Sequence, residues 1–196
     1  MQRIPRAEVT MLQNQVRTVV QSIDKNLVIE TCGSYRRGAA DCGDIDILVT
    51  HQKGNEIDGV LEKIITHLHK SKFLSDDLSH GASDKYMGVC WVPPPHGSGI
   101  HRRIDIQLIP LDQWPLALLY FTGSAHFNRS MRLWARKNGY ALSEKAITRR
   151  WVIAKGPTKQ RESDNDLKGE PIPVSSEKDV FDVLGLTYVS PTDRSV

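Results

Sequence analysis

Apolar positions recur at two different periods along the chain, and the changes of period mark its elements. Val9, Leu12, Val16, Val19 and Ile23 fall three and four apart, which predicts an amphipathic helix over residues 6–24, opened by Pro5 and the acidic Glu8. Ile57, Val60, Leu61, Ile64, Ile65 and Leu68 repeat the pattern and predict a second helix. Short runs rich in β-branched and apolar residues at 27–32, 44–50, 73–78, 86–92 and 102–109 read as strands. Residues 33–38 read as a turn leading into a brief helix, and the Pro-Gly-rich run 93–99 as an exposed turn. After Pro110 the texture changes. Residues 114–121 and 124–138 predict two helices broken at Thr122-Gly123. A weaker β-like piece follows at 146–154, then a polar loop at 156–173, then a short helix opened by Ser176-Glu177-Lys178-Asp179 and running through Leu184. The expected architecture is α+β: a mixed β-sheet with flanking helices over residues 1–110, then a small, mainly helical domain over residues 111–196.

Bulk properties narrow the picture only a little. A chain of 196 residues holds one domain of ordinary size, or one plus a small appendage. With 39% hydrophobic and 25% charged residues it reads as soluble and globular. No apolar run approaches the roughly 20 residues that span a bilayer, so no membrane partner is expected. The start, Met1-Gln2-Arg3-Ile4-Pro5-Arg6, lacks the apolar core of a signal peptide. A net charge of +3 permits a phosphate-bearing partner without proving one. Cys32, Cys42 and Cys90 are scattered and odd in number, which fits a reducing compartment and argues against a structural zinc site. His67 and His69 lie two apart on a helix and do not share a face, so they are no metal pair. Lys63, Lys70 and Lys72 read as a solvated face, and Trp91, Trp114 and Trp134 as core.

Three aspartates change the picture more. Asp44 and Asp46 stand one residue apart in the apolar run Gly43-Asp44-Ile45-Asp46-Ile47-Leu48-Val49, and side chains two apart on a strand share a face. Asp105 lies in a similar run, Arg102-Arg103-Ile104-Asp105-Ile106. Aspartate is depleted in strands. One would read as a solvated edge residue; three point to a shared task. Three carboxylates meeting at one point repel unless cations lie between them. That pattern suggests two Mg²⁺ ions and phosphoryl or nucleotidyl transfer. Gly33-Ser34, ten residues earlier, would offer phosphate a helix N-terminus with backbone N–H groups and a hydroxyl. Alone, such a dipeptide is an ordinary turn; its spacing to the aspartates gives it weight.

A strand ending in Gly-Ser and a second strand carrying Asp-x-Asp resemble the nucleotidyltransferase superfamily. Cys32-Gly33-Ser34-Tyr35-Arg36-Arg37-Gly38, Gly43-Asp44-Ile45-Asp46, His101-Arg102-Arg103-Ile104-Asp105 and Tyr120-Phe121-Thr122-Gly123-Ser124 together resemble an X-family DNA polymerase. The likeness covers residues 3–194, ending in Glu177-Lys178-Asp179-Val180-Phe181 and Pro191-Thr192-Asp193-Arg194. It implies a palm over 1–110 and a thumb over 111–196. It also implies a gap-filling repair enzyme that adds deoxynucleotides from a dNTP to a primer 3′-hydroxyl. The Tyr-Phe-Thr-Gly run points to template-directed members.

Position by position, the resemblance implies that Asp44 and Asp46 hold both metals and that Asp105 completes the catalytic one. The ions would be Mg²⁺, with Mn²⁺ able to substitute. Ser34, Arg37, Gly43 and Arg3 would bind the incoming triphosphate. Tyr120 and Phe121, in one nucleotide-binding run with Gly123, would flank the sugar and crowd a 2′-hydroxyl. Asn128 would touch the base in the minor groove, and Arg129 and Arg132 the template strand; the helix places Asn128 and Arg132 four apart on one face. Arg103 would sit beside Asp105 and the primer end, and Glu144 would help set the closed state on the thumb side. Implied partners are gapped or primed DNA, dNTP and other DNA repair proteins, in the nucleus. Full-length relatives carry an N-terminal lyase domain and a fingers-type domain. The likeness here starts at the palm, so the chain reads as palm and thumb alone and no Lys takes a lyase role. Two rival readings stand beside this one. One is a nucleotidyltransferase that works without template or on another acceptor. The other is a catalytically weak DNA-binding fragment.

Overall fold

The computed structural model describes residues 2–54, 57–79, 84–150 and 168–195. A two-residue strand β1 (Ile4–Pro5) leads into helix α1 (Arg6–Ile23). Strand β2 (Leu27–Thr31), a four-residue helix α2 (Gly33–Arg36), a second two-residue strand β3 (Asp41–Cys42) and strand β4 (Ile45–His51) follow. Helix α3 (Val60–Lys70) precedes strands β5 (Leu74–Asp77), β6 (Lys85–Cys90) and β7 (Arg102–Leu108). Beyond these come helices α4 (Trp114–Thr122) and α5 (Ala125–Lys137), strands β8 (Tyr140–Leu142), β9 (Ile147–Arg150) and β10 (Lys168–Pro171), and helix α6 (Glu177–Val183). Among the described residues no helix is long and apolar enough to cross a membrane.

The main sheet runs β2-β4-β7-β6-β5, with β4 and β7 parallel and the other neighbours antiparallel. Its two faces differ because strand side chains alternate. On one face Ile45, Ile47 and Val49 of β4, Ile104, Ile106 and Leu108 of β7, and Tyr86 and Cys90 of β6 are buried against Val9, Leu12 and Val16 of α1 and Ile64 and Leu68 of α3. Each such side chain contributes roughly 1.5–3 kcal/mol by leaving water. The opposite face carries Asp46, Asp105, Arg103, Met87 and Val89. At its β2-side edge Leu48 and Cys32 pack on Ala117 of α4, and among the described residues the rest of this face carries no hydrophobic cluster. The open face is where the site lies.

The helical part has its own core, in which Leu116, Leu119, Phe127, Met131, Ile147, Val180 and Phe181 meet. Ser124 caps α5 by accepting a bond from the Phe127 amide, and Ser176 forms a capping box with Asp179 at the start of α6. Arg194 is wholly buried, with its guanidinium over the rings of Phe127, Phe181 and Tyr188 at 5.4–5.6 Å.

Several expectations need correcting. The strand expected at 44–50 starts at Ile45, so Asp44 lies one residue ahead of it and is exposed. The loop expected over 156–173 contains β10, which pairs with β9 through Lys168↔Arg150 and Pro171↔Thr148; residues 156–167 lie outside the described residues. The β-like run 146–154 is a strand over Ile147–Arg150, and its remainder also lies outside them. Strand β8 was not foreseen: it is three residues long, too short for a period, and enters through a turn at Gly139, whose φ is +79°. Of the three tryptophans expected in the core, Trp114 packs on the cluster of Cys32, Leu48 and Ala117, while Trp134 does not belong to it. Trp134 is 43% exposed, with its Nε1 donating to the Leu184 carbonyl, and Trp91 and Trp114 are half-buried.

Candidate active site

Asp46 and Asp105 face each other in register across the parallel pair β4 and β7. Burial pushes the Asp46 carboxyl up to about 7, and the charges of Asp44 and Asp105 push the same way. All three carboxylates therefore share one electrostatic neighbourhood. Among the described residues, no group of three His, Cys, Asp or Glu side chains is gathered tightly enough to hold a metal ion. Arg103 forks onto Asp105, donating through Nε and Nη2, both at 3.1 Å, and so partly offsets its charge. The residues fit hard divalent cations all the same. Three carboxylates supply only oxygen donors, and burial, with the charges of Asp44 and Asp105 added, raises Asp46 so that a cation there would compete with a proton.

The turn after β2 is built around Asp46. The Cys32 amide donates to the Asp46 carbonyl at 2.8 Å. Gly33 has φ +58°, and a Cβ there would come within 2.9 Å of Asp46 Oδ2, so this position demands glycine. Ser34, half-buried, follows at the start of α2. With four residues α2 has little macrodipole to offer the anion expected there from the sequence. Arg3 is exposed and pairs with Asp41 at 2.7 Å; a Cβ on Gly43 would lie 3.7 Å from Arg3 Nη1, so these two adjoin. Arg37 reaches away from the carboxylates: Nη1 donates to the Thr122 carbonyl at 2.6 Å and Nε to Ser195 Oγ at 3.3 Å.

A cleft of about 360 Å³ opens between Arg37 and the run from Tyr120 to Ala125, with Asn128, Arg129 and Arg132 along its α5 side. Tyr120 and Phe121 meet edge to face, with centroids 5.1 Å apart. Asn128 Nδ2 donates to the Tyr120 carbonyl at 2.7 Å, and the Arg132 guanidinium lies 5.8 Å from the Tyr120 ring centroid. Gly123 is buried, with φ +67° and a cis peptide to Ser124. Arg129 is exposed and, among the described residues, bonds locally to the His126 ring at 3.1 Å. Glu144 stands in the β8–β9 turn, next to Ser143, which lines a smaller cavity with Asn128 and Arg132. Glu144 does not line the cleft itself.

Sequence reasoning missed a second set of residues beside this cleft. Arg36 donates to Thr122 Oγ1 at 2.7 Å and forks onto Glu177 at 3.0 and 2.7 Å. Arg194 Nη1 donates to the same Glu177 carboxylate at 2.7 Å. Local pattern could not reveal this, because Arg36 and Glu177 are 141 residues apart.

Two family models match the chain: DNA polymerase beta palm over residues 3–111, and DNA polymerase beta thumb over residues 117–195. The chain belongs to the X family of DNA polymerases. Among X-family relatives, it is 41% identical to DNA polymerase lambda of Rattus norvegicus over 98% of its own length and 33% of that protein's. It is 33% identical to DNA polymerase lambda of Arabidopsis thaliana over 99% of its length and 37% of that protein's. The chain thus spans about a third of the length of the curated relatives it matches. The α+β architecture expected from the sequence is the X-family palm and thumb: a mixed sheet with flanking helices, then a mainly helical part.

Proposed function

We propose that the chain catalyses template-directed transfer of deoxynucleotides from a dNTP to a primer 3′-hydroxyl, of the gap-filling repair type. The observation that carries this reading is Asp46 opposite Asp105 on the open face of the sheet, with Asp44 in electrostatic reach and an arginine-lined cleft nearby. In the reaction the 3′-oxygen bonds to the α-phosphorus, the bond to the bridging oxygen breaks, and pyrophosphate leaves.

Asp44 and Asp46 would hold two divalent ions, Mg²⁺ or in its place Mn²⁺, with Asp105 a ligand of the one at the primer end. When bound, such ions polarise phosphoryl oxygens and lower the pKa of an attacking hydroxyl. Arg103, bonded twice to Asp105, would orient it at the primer end. Ser34, Arg37, Gly43 and Arg3 would receive the triphosphate, and Arg37 must exchange its bond to Thr122 for one to phosphate. Tyr120, Phe121 and Gly123 would form the wall against the sugar, with Asn128 at the base edge. Arg129 and Arg132, both exposed on α5, would meet the template backbone. Glu144 would act at the thumb turn. Nuclear location and further repair-protein partners follow from the family likeness alone.

The test is primer extension on a short gapped duplex with each nucleotide in turn. Incorporation of the complementary nucleotide only is expected. Equal extension without a template strand would turn the reading to a template-independent transferase. Tight DNA binding with no product would turn it to a binding fragment.

A further inference from the structure

The cleft has two walls that come from distant parts of the chain. Arg37 stands on the turn after β2, and the run Thr122 to Ser124 ends α4. Two consecutive arginines grip Thr122, Arg36 by its hydroxyl and Arg37 by its carbonyl. Behind them lies Glu177, 8% exposed, which accepts from Arg36 on one side and from Arg194 on the other. Arg194 closes the loop, because its carbonyl accepts the Ser124 amide at 3.2 Å. A single buried carboxylate thus sets the distance between the two guanidiniums, and through them the separation of the two walls. The contact is close: a Cβ on Gly123 would lie 3.5 Å from Arg37 Nη1.

We propose that Glu177 is a positioning residue for the nucleotide, holding the Thr122–Ser124 wall against Arg37 and so setting how tightly the cleft takes a deoxynucleoside triphosphate and rejects a ribonucleoside triphosphate. The inference rests on the polymerase reading above. It adds a residue that touches neither substrate nor metal. The two sugars differ by one hydroxyl, so a wall displaced by a few tenths of an ångström changes discrimination before it changes chemistry. Glu177→Gln keeps the shape but removes the charge that two guanidiniums share. Arg36→Lys loses the fork and leaves the Glu177–Arg194 bond inside the helical part intact, so it reports on the clamp even where the first variant folds poorly.

The experiment is steady-state single-nucleotide insertion by both variants and the wild type. The expected result is a nucleotide KM raised about 5- to 20-fold, kcat within about twofold, and a deoxy-to-ribo ratio of kcat/KM lowered about tenfold. An unchanged ratio and KM with only kcat or melting temperature lowered overturns the proposal. A parallel arm measures dATP and ATP affinity at equilibrium in Ca²⁺, by displacement of a fluorescent nucleotide. Should the wild type extend no primer, the polymerase reading fails alone and this arm decides. A dATP-to-ATP preference lost in both variants upholds the positioning role, and a preference kept in Arg36→Lys defeats it.

Discussion

Asp46 and Asp105 stand directly opposite one another on the parallel neighbours β4 and β7, while Arg103 holds only the second of them. The two acids are therefore unequal. Asp105 is compensated by a guanidinium; Asp46 is half-buried, faces two like charges, and is pushed up to about 7. This inequality divides the labour of the site. Asp105→Ala should leave nucleotide binding largely intact and remove primer extension by at least about 10³-fold, the scale of losing an electrostatic element aimed at the transition state. Single-turnover insertion beside equilibrium dNTP binding checks it; extension near the wild-type rate removes Asp105 from the chemistry.

The raised Asp46 makes stability depend on pH in a definite direction. Between the ordinary carboxylate value and about 7 the folded chain holds a proton that the unfolded chain has lost. Stability therefore falls as pH rises through that window. A divalent cation competes with this proton, so Mg²⁺ should raise the melting temperature more at pH 8 than at pH 6. Asp46→Asn should remove the penalty, stabilising the metal-free protein by about 1–2 kcal/mol at pH 8, and should blunt the Mg²⁺ response. Melting curves in EDTA and in Mg²⁺ at both pH values provide the measurement. An Mg²⁺ response that is equal at the two pH values and survives in Asp46→Asn places the cation elsewhere.

What the sequence disclosed follows from how local each signal is. Asp44, Asp46 and Asp105 were legible because a carboxylate in an apolar β-branched run contradicts its own surroundings. The main-sheet strands and α1, α3, α4 and α5 were legible because each buries a face at a fixed period. Strand β10 was not, since Lys168-Gly169-Glu170-Pro171 has no alternation and owes its form to pairing with β9. The Arg103 fork onto Asp105 is a rotamer choice, invisible in a one-dimensional pattern. Glu177 was hidden for another reason: the capping box at Ser176 and Asp179 already explains an acidic residue there.

Glu177 gives the second pH-dependent term, with the opposite sign. Despite burial, which pushes its carboxyl up, the bonds from Arg36 and Arg194 hold it below the usual glutamate value. Its contribution is fully present above the ordinary value near 4.5 and is lost as pH falls through the folded-state value below that. Glu177→Gln should cost about 2–4 kcal/mol at pH 7, since it leaves the wholly buried Arg194 and the half-buried Arg36 undercompensated, Arg36 keeping only its contact to Glu30 at 3.4 Å. The gap to wild type should narrow below about pH 4, as the wild-type carboxylate takes up its proton. Urea unfolding at pH 7 and pH 3.5 reads both numbers. A constant difference across that range means the ion pair is not what Glu177 contributes.

Arg132 presents the contrasting case of a charge that does little for the fold. It is exposed on α5, one turn from Asn128, with its guanidinium 5.8 Å from the Tyr120 ring centroid. At that exposure its loss should change stability by no more than about 0.5 kcal/mol. A side chain beside the nucleotide cleft that meets template phosphate would instead act on alignment. Arg132→Ala should therefore keep extension of matched ends within about tenfold, reduce the salt slope of DNA binding by about one, and raise misinsertion. The same substitution at Arg129, which bonds locally to His126, should reduce the salt slope alike but disturb misinsertion less, because among the described residues it makes no bond to the Tyr120 wall. Unchanged misinsertion in Arg132→Ala removes the alignment role, and misinsertion raised equally in both variants assigns the fidelity effect to backbone charge rather than to the Tyr120 contact.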